Sequence, residues 1–329
     1  SLKEHLCMLI WCYDEWLKSK SIIDEYPDMV CIPLDDSGDT ALHLAVREGK
    51  GGIVKELVKR MRPEDMLIQN SSGDTALHVA ASKGRIGIMD ELVNRMRPED
   101  MLIPNSSGDT ALHLAVREGK GGIVKELVKR MRPEDMLIPN SSGDTALHVA
   151  ASKGGIGIVD ELVKSMRPEV MLIPNSRGDT ALHLAVSEGR DEIVKELVKR
   201  MRPEDMLIQN SRGNTALHLA ARGGSLEIVK ELFKRMRPED MLIQNSSGDT
   251  ALHLAVSEGR DEIVKELVKL MRPEDMLITD SDGMLPVHLA AKCGDNKLVD
   301  ILSSQKVLDK MDFKDIERLF MMTIRFDMF

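Results

Sequence analysis

The hexad Gly-Asp-Thr-Ala-Leu-His stands at 38–43, 73–78, 108–113, 143–148, 178–183 and 248–253. Two altered copies keep the rhythm. Gly213-Asn214-Thr215-Ala216-Leu217-His218 differs at one residue, and Gly283-Met284-Leu285-Pro286-Val287-His288 is the worn eighth copy. Consecutive copies always start 35 residues apart. So strict a period requires one supersecondary unit used many times, each leaving an apolar face that only its neighbour can cover. It overrides the two or three globular domains that 329 residues would otherwise suggest.

The unit starting at Gly108 shows what is repeated. Asn105-Ser106-Ser107-Gly108 has the chemistry of a type I turn. Thr110 fits a helix N-cap whose hydroxyl accepts from the backbone N–H of His113, and His113 holds the place where a capping box carries Glu or Gln. Ala111–Val116 reads as a short apolar helix, and Gly119 stands where a helix stop needs positive φ. In the second helix, Ile123, Leu127 and Met131 recur at i, i+4, i+8, and Val124 and Val128 widen the stripe. Glu126 and Arg130 form an i,i+4 pair on its polar side. Arg132-Pro133 ends that helix, and Pro133-Glu134-Asp135 begins a fresh first turn. Met136-Leu137-Ile138-Pro139 reads as an extended run into the next turn. Isolated helices under about 12–15 residues are marginal in water, so the units must stack.

These residues resemble the ankyrin repeat family. Its T-x-L-H-x-A core appears as Thr110-Ala111-Leu112-His113-Leu114-Ala115, followed by Gly119 and Ile123-Val124. Ala111 replaces the family's usual proline, and Arg132-Pro133-Glu134-Asp135 lengthens the link to the next unit. The resemblance implies an all-α solenoid of stacked helix-turn-helix units joined by hairpin-like loops. Residues 1–37 are expected to form a degenerate N-terminal capping repeat. Residues 38–282 would be seven near-identical repeats, and 283–329 a divergent repeat followed by a truncated helix. The block Met284–Ile301, with Asp312-Phe313-Lys314-Asp315-Ile316-Glu317, is similar in texture to plant ankyrin-plus-transmembrane proteins. That narrower resemblance implies the cytosolic part of a membrane protein in immune or stress signalling.

The copies differ in blocks. The first (38–72) and third (108–142) are identical except for Gln69 against Pro139. The second and fourth share Val-Ala-Ala-Ser-Lys-Gly, and the fifth and seventh share Ser-Glu-Gly-Arg-Asp-Glu. Duplication of pairs explains this better than a designer's uniform consensus. Gly51-Gly52 and Gly121-Gly122 open their helices poorly, whereas Asp191-Glu192 suits a helix start. The first half of the array is therefore expected to open more readily than the fifth to seventh repeats.

Composition narrows the function. Aromatic residues are 3% of the chain and lie mainly at its ends, so the core is aliphatic. The net charge of -9 disfavours a nucleic-acid backbone. Four cysteines without a paired pattern fit a reducing, cytoplasmic setting or the cytosolic face of a membrane. Apolar runs are too short for a membrane span. Eight periodic histidines invite a metal ladder, but ligands must lie about 2.0–2.1 Å from a shared ion. Packed helices sit roughly 8–10 Å apart, so the rings read as structural. Glu134-Asp135 reads as a helix start rather than an acid pair. No metal, cofactor, small-molecule substrate or catalysis is expected.

What remains is a protein partner. The resemblance places its site on the concave face of hairpin tips and first helices. Mapped here, that face is Ser72, Asp74, Ser82 and Lys83, then Ser107, Asp109, Arg117 and Glu118, then Ser142, Asp144, Ser152 and Lys153. It continues through Arg177, Asp179, Ser187, Glu188, Arg212, Asn214 and Arg222. Eight units would give a groove about 80 Å long at roughly 10 Å per unit. Two alternatives stay open: an engineered binder scaffold, and an element that self-associates through Trp11 and Trp16 or the Phe-rich tail.

Overall fold

The computed structural model describes residues 2–12 and 16–325. Every regular element among them is helical. The chain divides into two compact units, Ser1–Met171 and Leu172–Phe329.

In the first unit the helices are α1 (Leu2–Cys12), α2 (Trp16–Glu25), α3 (Ala41–Arg47), α4 (Gly51–Arg60) and α5 (Ala76–Lys83). They continue as α6 (Ile86–Val93), α7 (Ala111–Arg117), α8 (Gly121–Arg130), α9 (Ala146–Lys153) and α10 (Ile156–Ser165). First helices pack on first helices (α1 on α3, α3 on α5, α5 on α7, α7 on α9), and second helices likewise. Small residues make this possible. Ala111 and Ala115 of α7 are buried and let the backbones approach, while Ile123, Val124, Leu127 and Val128 of α8 close the core behind them. Each such aliphatic side chain contributes about 1.5–3 kcal/mol by leaving water. Of the aromatic end groups, the side chains of Trp11 and Trp16, and Tyr13, Phe326 and Phe329 altogether, lie outside the described residues.

The second unit repeats the plan with α11 (Ala181–Ser187), α12 (Asp191–Arg200), α13 (Ala216–Gly223), α14 (Leu226–Phe233) and α15 (Ala251–Ser257). It ends in α16 (Asp261–Leu270), α17 (Pro286–Lys292), α18 (Asn296–Leu302), α19 (Gln305–Leu308) and α20 (Phe313–Arg325). The last helix packs on α17 through Leu319, while Phe313 and Met321 stay exposed.

The link after each second helix differs from the sequence expectation. Met136 and Leu137 belong to a 3-10 helix, Pro133–Leu137, and the extended run begins only at Ile138. The shared Arg-Pro-Glu start suffices, since Pro168–Leu172 forms the same 3-10 helix with Val170 in place of the aspartate, and in the other repeats a clamp reinforces it. Asp135 Oδ2 accepts from the backbone N–H of Arg132 at 2.9 Å, and the Arg132 guanidinium holds both carboxylate oxygens at 2.8 and 3.1 Å. These bonds hold the Asp135 carboxyl below the usual carboxylate range against the opposing effect of burial. The same clamp recurs at Arg62–Asp65, Arg97–Asp100, Arg202–Asp205, Arg237–Asp240 and Arg272–Asp275. The Glu-Asp pairs are thus helix starts.

The single difference between the first and third repeats also has a structural meaning. Gln69 Nε2 donates to the carbonyls of Gly73 and Pro104, bridging two hairpin tips, and Pro139 has no donor with which to do so.

Gly51 and Gly52 do open α4. A Cβ on Gly52 meets nothing within 4 Å. Gly52→Ala should therefore stabilise the first unit by about 0.5–1 kcal/mol and slow amide exchange along α4. An unchanged urea midpoint would remove the argument that glycine weakens this helix.

Candidate protein-binding face

The periodic histidines face inward, and their nitrogens are occupied by the backbone. In the first unit, His113 Nδ1 accepts from the Thr110 N–H at 3.1 Å and lies 2.9 Å from Thr110 Oγ1. Its Nε2 lies 3.0 Å from the carbonyl of Asp144 in the next repeat. An N–H can only donate and a carbonyl can only accept, so the ring is the neutral Nε2–H tautomer. His43 and His78 are held the same way, as are His183, His218 and His253 in the second unit. Burial lowers the pKa of His43, His78, His113, His218, His253 and His288. The Thr hydroxyl thus bonds the ring within a capping box in which His113 holds the Glu or Gln place.

A second ladder runs through the hairpin tips. Asn140 Oδ1 accepts from the N–H groups of Ser142 and Asp144, closing the turn, and its Nδ2 donates to Asp109 Oδ1 at 2.9 Å. Asn70–Asp39 and Asn105–Asp74 are equivalent in the first unit, and Asn210–Asp179 and Asn245–Asn214 in the second. The spacing of Asn and Asp at the tips carried this signal, and the sequence reading missed it.

The ladder corrects two expected surface positions. Asp109 is 1% exposed, and its carboxylate is held by Asn140 and by Arg117 at 2.5 and 3.0 Å. Burial pushes the Asp109 carboxyl up, and the bonds from Arg117 and Asn140 more than reverse this, leaving it below its ordinary value. Asn214 is 4% exposed. Neither reaches solvent, because each occupies an inter-repeat rung. Asp74, Asp144 and Asp179 are half-buried, as are Ser82 and Ser152. Ser72, Lys83, Ser107, Arg117, Glu118, Ser142 and Lys153 are exposed in the first unit. Arg177, Ser187, Glu188, Arg212 and Arg222 are exposed in the second.

Five exposed residues of the second unit and two rung residues meet in one cavity of about 400 Å³. Arg177 comes from the tip at 175–178, Arg212 from the tip at 210–213, and Arg222 from the end of α13. Ser187, Glu188, Leu184, Leu219, Asp179 and Asn214 line the cavity as well. Arg177 Nε is 3.4 Å from Asp179 Oδ2. Among the described residues, the guanidinium groups of Arg212 and Arg222 have no ion pair. The Arg222 carbonyl is anchored by Arg260 Nε at 3.2 Å, which fixes the end of α13.

The profile of the ankyrin repeats matches overlapping spans 18–101, 42–138, 91–174, 120–206, 167–240, 196–275 and 231–315. The chain belongs to the ankyrin repeat family. Among solved structures it is similar to the ankyrin repeat domain of Bcl-3, described as a unique member of the IkappaB protein family. The two share 27% identity over 71% of this chain and all of that one, with a TM-score of 0.59. No curated protein matches the chain. Ankyrin repeats are protein-interaction modules, and no helix among the described residues is long and apolar enough to cross a membrane.

Proposed function

We propose that this chain is a non-enzymatic interaction scaffold that takes a protein partner along the face of hairpin tips and first helices. The observation that carries this reading is the division of labour within each repeat. Histidine and the tip asparagines are committed to inter-repeat bonds and threonine to the histidine ring, whereas the tip and helix-end positions vary in charge and are exposed. Exposed side chains carried on rigid rungs form a polar surface whose backbone is preorganised, so weak contacts add without the cost of ordering the chain that carries them. The polar side of the second helices is the weaker candidate, because its charges pair with one another, as in Glu126 with Lys129 and Arg130 at 2.7 and 3.0 Å.

The finer reading, the cytosolic part of a plant membrane protein in immune or stress signalling, is supported by the texture of 284–301 and 312–317 alone.

The test is proximity labelling with two baits, the unsubstituted chain and a variant with Glu118, Arg177, Glu188 and Arg212 changed to Ala. Partners captured by the first and lost by the second are the expected result. Identical capture by both baits would move binding off this face.

A further inference from the structure

We infer that the cavity between the tips at 175–178 and 210–213 is a subsite for a carboxylate side chain on an extended, acidic segment of the partner. This rests on the interaction reading above and names the chemistry of one part of that face.

The argument turns on Asn214. In the first and third repeats, the arginine at the end of the first helix has a carboxylate of its own. Arg47 Nη2 lies 2.5 Å from Asp39 Oδ2, and Arg117 makes a two-pronged pair with Asp109. Arg222 occupies that same place in the sixth repeat, but the residue in the place of Asp39 and Asp109 is Asn214. The exchange costs the architecture nothing visible. Asn214 Oδ1 still accepts the rung bond from Asn245 at 2.9 Å, and its carbonyl still receives His183 Nε2 at 3.0 Å. What is lost is one negative charge facing Arg222. On the same cavity, Arg177 and Arg212 replace the serines found at most other tips, such as Ser72, Ser107, Ser142 and Ser247. Three departures from the repeat pattern thus converge on one cavity and all move its charge in one direction.

The occupant follows from charge and shape. An unpaired guanidinium beside a preformed cavity presents a fork that matches a carboxylate or a phosphoryl group. Asp179 and Glu188 also line the cavity, so three guanidiniums stand against two carboxylates and leave a single net positive charge. That balance suits a carboxylate better than a phosphoryl group carrying about −1.5 to −2. A cavity lined from two tips admits a side chain from an extended segment lying across them, while Leu184 and Leu219 in its lining accommodate the methylenes.

The probe is a short fluorescent peptide with a central run of glutamates, titrated against the full chain by anisotropy, beside its glutamine and phosphoserine counterparts. The glutamate peptide should bind, with affinity falling as salt rises, and the glutamine peptide should not. Asn214→Asp gives Arg222 an internal carboxylate and should weaken binding about tenfold or more. It should fold normally, since Asp stands at this place in six other copies. Arg222→Gln should weaken binding similarly. Equal affinity of Asn214→Asp, equal binding of the glutamine peptide, or about tenfold tighter binding of the phosphoserine peptide would each overturn the assignment. If Asn214→Asp leaves peptide binding unchanged while the four-alanine bait still loses its partners, the subsite fails and the interaction reading stands. If that bait keeps every partner, the interaction reading itself fails.

Discussion

Both units should lose stability steeply once the pH falls below about 6.5, the ordinary imidazole pKa. In the first unit the rings of His43, His78 and His113 are buried and neutral. Burial lowers their pKa, and the nearby carboxylates of Asp39, Asp74 and Asp109 oppose this without reversing it. Geometry acts in the same direction, because a proton on Nδ1 would point at the N–H of the capping threonine. The folded rings therefore bind protons less readily than the unfolded ones. Stability is complete above the unfolded pKa and falls as pH drops through it, at about 1.4 kcal/mol per pH unit for each ring. Three rings titrating on one cooperative unfolding event give about 4 kcal/mol per pH unit. The loss ends once pH falls below the folded pKa values, so its total is set by how far burial lowers them. His218, His253 and His288 set the same dependence in the second unit. The clamped carboxyls of Asp65, Asp100, Asp135, Asp205 and Asp275 act in a separate, more acid window, since they are held below the ordinary aspartate value. Urea midpoints measured from pH 8 downward check this, and a flat profile to pH 5 would show that the rings titrate as in the unfolded chain.

How much of this was legible before the structure varies with the physics involved. The period, the helix pairs and the inward histidines follow from spacing alone, because a ring recurring every 35 residues beside a capping threonine has one place to go. The interaction between Glu126 and Arg130 was legible for the same reason, being local. Two features were not read. The 3-10 helix at Pro133–Leu137 continues through Met136 and Leu137, which read as extended, and it forms at Pro168–Leu172 even without the clamp. The charged tip face was read as uniformly available, whereas Asp109 is spent on Asn140 and Arg117. Asn214 was conspicuous as the one altered residue in its hexad. Its meaning required knowing what Arg117 does with Asp109, and that contact spans a helix and a turn that spacing alone does not bring together.

Gly108→Ala should destabilise the first unit by about 2–4 kcal/mol, about twice the effect of the same change at Gly119. Both glycines have positive φ, 75° and 66°, so both substitutions carry the left-handed penalty of about 1–2 kcal/mol. Their surroundings differ. A Cβ on Gly119 meets nothing within 4 Å. On Gly108 it would stand 2.5 Å from the backbone N of Ser141 and 3.0 Å from the carbonyl carbon of Asn140. These atoms belong to the next hairpin tip, which cannot yield as the end of a flexible side chain would. Moving that tip away strains the bond from Ser141 N to Ser107 O, 3.1 Å, and the rung from Asn140 Nδ2 to Asp109 Oδ1, 2.9 Å. The glycine is therefore required less by its own turn than by the approach of the neighbouring repeat, which is the contact that converts separate helix pairs into a stacked array. Paired urea titrations of the two variants isolate this term. Equal losses at Gly108 and Gly119 would mean that backbone conformation alone demands glycine and that the tips do not press on one another.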